Sequence, residues 1–189
     1  MDGAPDPVAL VTTGTDRFFS NGLDLEWLLG AGPEAMRSFV VEVEALFARL
    51  IEAPYITVAA CNGHTFAAGA MLALCHDIRV MRADRGFFCL PEVELGLPFT
   101  PGMDALIRSR LLVTTAHEAM VTGKRFGGVE AAEKGIVAEA PAAEGVMPRA
   151  IELATEHAGK TRSNLRAIKQ RMYFDVLGLL RSSEGIAGP

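Results

Sequence analysis

The chain has 189 residues, half of them hydrophobic and 22% charged, with a formal net charge of −5. Such a share of apolar side chains supplies one sizeable core and excludes a mainly disordered chain, while the acidic balance argues against a general binder of nucleic acid or anionic membrane. The longest apolar run, residues 66–75, stops at His76-Asp77 and is too short to cross a bilayer.

The opening residues, Met1-Asp2-Gly3-Ala4-Pro5-Asp6-Pro7, lack the basic start and apolar stretch of a signal peptide, and the closing Ala187-Gly188-Pro189 is no peroxisomal tripeptide. A cytoplasmic location is therefore expected, with the peroxisome left open. Residues 8–12 form a short β-rich run. A polar stretch, Thr15-Asp16-Arg17, then leads into Phe18-Phe19-Ser20-Asn21-Gly22-Leu23-Asp24. Pro33 suits the first turn of a helix that ends at Pro54. Its apolar positions Met36, Phe39, Val40, Val43, Leu46, Phe47 and Leu50 repeat at helical period, with Glu42, Glu44 and Arg49 expected on the solvent side.

Residues 55–61 read as a buried strand, since Ile56, Thr57 and Val58 are β-branched. Asn62-Gly63-His64 turns the chain, and Ala67-Ala68-Gly69-Ala70 leads into a helix over 71–75. Strands follow at 78–81 and 87–89, the second running into Pro91-Glu92-Val93-Glu94-Leu95-Gly96. Beyond Gly102 the signals are helical, over 103–112, 115–122, 129–134, 144–159 and 163–176. Strands first and helices later predict an α/β core, residues 1–112, with a helical region at 113–189. Cys61, Cys75 and Cys89 have no CxxC spacing and lie in apolar sequence, so they read as packed, reduced thiols. The four histidines have no ligand spacing, and no metal or other cofactor is expected.

Three segments could carry chemistry. In the first, residues 19–24, a glycine lets the following N–H groups turn toward a ligand; the plainer reading is a tight turn before a helix capped by Asp24. In the second, residues 62–70, small side chains at a helix start allow a ligand oxygen close to free N–H groups; the plainer reading is close helix packing. In the third, Glu92 and Glu94 would face opposite ways along an extended segment. An inward Glu92 would have its pKa raised toward the range of a general base, the alternative being two surface glutamates.

Together these segments resemble the crotonase superfamily, the enoyl-CoA hydratases and isomerases, from Val8 to the end of the chain. Phe19, Ser20, Gly22 and Asp24 match its F-[SA]-x-G-x-D pattern; Asn62, Gly63, Ala67, Ala68 and Gly69 match N-G-x-x-x-[GA]-[GA]-G; and Pro91, Glu92 and Gly96 match P-E-x-x-x-G, with Asp77 at the family's aspartate before a strand. The resemblance implies a crotonase-like spiral of ββα units with a helical C-terminal trimerisation region, hence a homotrimer or hexamer. It implies an acyl-CoA thioester as substrate, CoA being part of that substrate and not a cofactor. The N–H groups of Leu23 and Ala68 would form an oxyanion hole, with Ser20, Asn21, Gly22, Asp24 and Gly69 binding substrate around it and Glu92 acting as catalytic base. Family hydratases carry a second glutamate where this chain has Met71. Moving a double bond needs one carboxylate, so the chain looks most like a Δ3,Δ2-enoyl-CoA isomerase. The alternatives are a weak hydratase, a dienoyl-CoA isomerase or a non-catalytic acyl-CoA-binding subunit.

Family members also begin with a strand–helix–strand unit ahead of the segment that starts here at Val8, so an N-terminally shortened core is expected. Among other residues, His64 reads as structural, Arg17 as solvated or meeting a CoA phosphate, and Trp27 as lining the acyl pocket or the core. Arg166, Lys169 and Arg171 on the last predicted helix read as a solvated face. The helix holding Asp104 and Arg110 is a candidate pocket floor.

Overall fold

A computed structural model describes residues 6–182, so most of the opening stretch and all of the closing tripeptide considered above as targeting signals lie outside the described residues. Each unit of the core is two strands followed by helix. β1 (Ala9–Thr13) and β2 (Phe18–Ser20) precede α1 (Leu25–Gly30) and α2 (Pro33–Ile51); β3 (Ile56–Cys61) and β4 (His64–Phe66) precede α3 (Ala68–Leu74); β5 (Ile78–Met81) and β6 (Phe88–Cys89) precede α4 (Glu92–Leu95). First strands join one parallel sheet in the order β1-β3-β5, and second strands join another in the order β2-β4-β6. This is the crotonase-like spiral of ββα units expected from the resemblance. Strands β2 and β4 went unread in the sequence because three residues are too few to establish a period of two.

Central strand β3 is buried throughout and alternates between two cores. Val58 and Ala60 pack with Val146, Ala150 and Leu153 of α8 (Val146–His157). Ala59 and Cys61 face the larger cluster, which holds Phe47, Met71, Leu74 and Phe88 together with Phe126 and Ile136 from the later helical region. That region comprises α5 (Pro101–Arg110), α6 (Val113–Thr122), α7 (Gly128–Glu133), α8, α9 (Arg162–Met172) and α10 (Phe174–Arg181). The single helix expected over 163–176 is in fact α9 and α10, which meet at Tyr173. All three cysteines are buried and unpaired, and burial pushes the Cys61 thiol up to about 12.

Two charged residues depart from the sequence expectation. Glu44 lies on the buried flank of α2 at 1% exposure, because α10 packs against α2 and Gly102 of α5 lies over the carboxylate. It accepts a hydrogen bond from the hydroxyl of Thr100, which also caps α5 by accepting from Met103 N at 3.1 Å. Burial raises the Glu44 pKa, because lost solvent penalises the carboxylate more than the Thr100 hydrogen bond stabilises it. Lys169 is 4% exposed rather than solvated, while Arg166 and Arg171 stay at the surface. Its ammonium donates to Asp77 Oδ2 at 2.7 Å and to Tyr55 O at 3.0 Å. Asp77 Oδ2 also accepts from Thr57 N at 2.8 Å, so α9 is tied to the head of the central strand.

Beside this pair, Arg110 Nε donates to Leu74 O at 2.8 Å and Arg79 Nη1 to His76 O at 2.9 Å. Cations thus meet the carbonyl end of α3, where the helix dipole favours positive charge. Lys169→Met removes the buried partner of Asp77 and is expected to destabilise the fold by about 2–3 kcal/mol, below the full effect of breaking a buried pair because Asp77 keeps its Thr57 donors and some solvent. Denaturant melts of the two proteins, with an unchanged slope, measure it.

Candidate active site

The three segments singled out in the sequence leave from the carboxyl ends of the three strands of one sheet. Asn21-Gly22-Leu23 follows β2, Ala67-Ala68 follows β4 and Pro91-Glu92 follows β6. The strands are parallel, with Ser20 opposite Thr65 and Phe66 opposite Cys89, so all three segments emerge at the same edge. Open parallel sheets bind ligands at that edge.

Close approach of these segments depends on missing side chains. A Cβ on Gly69 would lie 2.5 Å from Ser20 O, so the start of α3 touches the backbone of β2. Gly22 has φ +92, and a Cβ there would sit 3.0 Å from the Ala67 methyl and 3.4 Å from Ala68 N. Asn62 fastens the turns beneath: its Oδ1 accepts from Gly14 N at 3.0 Å and its Nδ2 donates to Asp16 O at 3.2 Å. Ala67 N donates to Cys89 O at 3.0 Å, which brings the start of α3 beside the segment bearing Glu92. Ala68 opens α3, where N–H groups lack intrahelical partners. The N–H groups of Leu23 and Ala68 meet no acceptor among the described residues.

A cavity of about 460 Å³ opens onto both of those residues. Leu28 of α1, Met36 and Val40 of α2, Met71 of α3 and Met103 of α5 supply its apolar wall, and Glu92 is its only ionisable lining residue among those described. Through Met103, α5 contributes to this wall, whereas Asp104 and Arg110 do not line it. Glu92 is 7% exposed, and its Oε2 is buried without a hydrogen-bond partner. Burial raises its pKa to about 7, since no cation beside it offsets the loss of solvent. The segment is helical, not extended as expected, yet Glu94 still points to solvent: two helical positions turn about 200°, nearly the half-turn of a strand.

Of the other candidates, Asn21 lines the same cavity. Ser20, Gly22 and Gly69 line an adjoining one of about 340 Å³ against α2, which also reaches Leu23 and Ala68. Asp24 lines neither; its Oδ1 accepts from Trp27 N at 3.0 Å and caps α1. Trp27 lines neither cavity nor the core, being 49% exposed with its ring edge-on to Phe39 at 5.3 Å. His64 sits among the rings of Phe18, Phe66 and Phe87, away from both cavities, and burial together with nearby Arg85, Arg17 and Arg125 lowers its pKa. Arg17 is exposed against the Phe18 ring. The wall given by α2 was not read from the sequence as part of the site, although its apolar stripe was visible, and on α1 the sequence pointed to Trp27 where Leu28 lines the cavity. Among the described residues no group of three or more His, Cys, Asp and Glu could hold a metal, and no helix is long and apolar enough to cross a membrane.

The sequence model of the enoyl-CoA hydratase/isomerase family matches residues 2–179. Enoyl-CoA delta isomerase 2, peroxisomal, of Arabidopsis thaliana is 36% identical over 181 residues, covering 90% of this chain and 75% of that protein. Enoyl-CoA delta isomerase 3 of the same plant is 40% identical over 157 residues, covering 80% of this chain and 66% of that protein. Among solved structures, the apo enoyl-CoA isomerase of Mycobacterium tuberculosis superposes with a TM-score of 0.85 at 32% identity, over 93% of this chain and 76% of that one. Human mitochondrial Δ3-Δ2-enoyl-CoA isomerase gives 0.83 at 25% identity, over 89% and 66%.

Proposed function

The chain belongs to the enoyl-CoA hydratase/isomerase family, and on that premise we propose that it shifts the double bond of a 3-enoyl-CoA thioester to the trans-2 position. The observation that carries the reading is a single buried carboxylate in an apolar cavity, with Met71 rather than a second acid in the same wall. Glu92 takes a proton from C2; the electron pair moves through C2 onto the thioester oxygen as a dienolate; the oxygen is held by the Leu23 and Ala68 N–H groups; and Glu92 returns the proton at C4. Each such donor is worth about 3–4 kcal/mol in the transition state. Ser20, Asn21, Gly22 and Gly69 shape the thioester's path, and Asp24 acts through the cap that fixes α1 against the cavity. No cofactor enters this chemistry.

Hydration would need a second group to position or activate water, and Met71 can do neither. The experiment is a pair of assays on 3-hexenoyl-CoA and crotonyl-CoA. Isomerisation is expected to exceed hydration at least about tenfold in kcat/KM, a difference of about 1.4 kcal/mol; faster hydration overturns the one-base reading. Assembly into a homotrimer or hexamer through residues 113–189 belongs to the same proposal, and the exposed Leu112, Val113, Met172 and Phe174 support it.

A further inference from the structure

Resting on that reading, we infer that the methyl group of Ala67 confines the site to acyl thioesters unbranched at C2. Ala67 has φ +50 and ψ −126, a backbone conformation that suits glycine and strains any L side chain. Its backbone bonds do not need the methyl: Ala67 N donates to Cys89 O at 3.0 Å, and Ala67 O accepts from Ala70 N at 2.9 Å and Met71 N at 3.1 Å. Glycine would make all of these without strain. The methyl therefore stands at an unfavourable position for some other reason.

It is part of the cavity wall and only half-buried. On one side it faces Gly22, whose added Cβ would approach it to 3.0 Å, and the next residue along the chain is Ala68, whose N–H is free. A thioester oxygen bound to that N–H lies at about 2.9 Å from the nitrogen. The carbonyl carbon is one bond further on and C2 two bonds further, and on the proposed mechanism C2 must face Glu92, which shares the cavity wall with Ala67. An unbranched C2 carries only hydrogens there, whereas a methyl branch would compete with the Ala67 methyl for one space. A single methyl group in a close-packed site discriminates by about 10- to 200-fold.

Calorimetric titration with butyryl-CoA and isobutyryl-CoA tests this in wild type and Ala67→Gly. The two esters have the same atoms, and neither has a double bond to move. Wild type is expected to bind butyryl-CoA at least about tenfold more tightly. Ala67→Gly should bring the affinities together by strengthening isobutyryl-CoA binding, leave butyryl-CoA binding little changed, and melt at a higher temperature. An affinity ratio that the substitution leaves unaltered overturns the inference, as does failure to bind either ester. A lower melting temperature overturns it too, because the methyl would then be a packing group. If 3-hexenoyl-CoA is not turned over but the affinity ratio collapses as expected, the isomerase reading fails and this one stands.

Discussion

Glu92→Gln is expected to leave the fold intact and lower kcat/KM for 3-hexenoyl-CoA by about a thousandfold, a change of about 4 kcal/mol. Glutamine keeps the size and shape of the side chain in the cavity wall but cannot take the proton. Because burial sets the Glu92 pKa at about 7, wild-type kcat/KM should rise with pH through about 7 and level off where the carboxylate is fully formed. Stability should move the other way. Below pH 4.5 the carboxyl is neutral in folded and unfolded chains alike. Between 4.5 and about 7 the unfolded chain ionises while the folded one resists, so unfolding gains ground, and above about 7 the penalty is constant. At pH 8 the variant should accordingly be more stable than wild type, by as much as about 3 kcal/mol. Turnover near the wild-type level would remove Glu92 from the mechanism, and equal stabilities at pH 8 would contradict its buried, unpartnered state.

Gly69→Ala should damage both fold and chemistry. The new methyl would lie 2.5 Å from Ser20 O and 2.6 Å from Ser20 Cβ and Oγ, too close for any rotamer to relieve because a Cβ has no freedom of its own. Strand β2 or the start of α3 must shift, which costs about 1–3 kcal/mol of stability. The same shift separates Leu23 N from Ala68 N. Misplacement by about 1 Å in a reactive arrangement lowers the rate about a hundredfold. Gly178→Ala in α10 is the control: nothing lies within 4 Å of its Cβ, and it should be neutral or stabilising by about 0.5–1 kcal/mol. If both variants behave alike, contact with Ser20 does not set the donor spacing.

Much of the candidate site was legible because its parts are short local patterns. Asn21-Gly22-Leu23, Ala67-Ala68-Gly69 and Pro91-Glu92 are each readable within a few residues, and one sheet edge gathers them. What escaped depends on distant partners. Lys169 reads as one cation among several on a polar helix until Asp77, 92 positions away, is placed against it. Glu44 reads as solvated until Thr100, 56 positions on, closes over it. The strain at Ala67 escaped for a different reason: alanine is neutral in composition and pattern, and only the backbone angles show it doing what glycine does freely.

The edge of the β2-β4-β6 sheet holds two kinds of information with unequal durability. In the proposed mechanism Leu23 and Ala68 contribute main-chain amides, which survive most substitutions of their side chains, whereas the proposed base is a single glutamate that one codon change can erase. Drift at residue 92 would therefore silence the reaction while sparing the oxygen cradle, leaving a thioester receptor open to new chemistry. On that proposal the reactive side chain arrives on α4, in the last of the three described units, so replacing that helix would exchange the reaction without rebuilding the cradle.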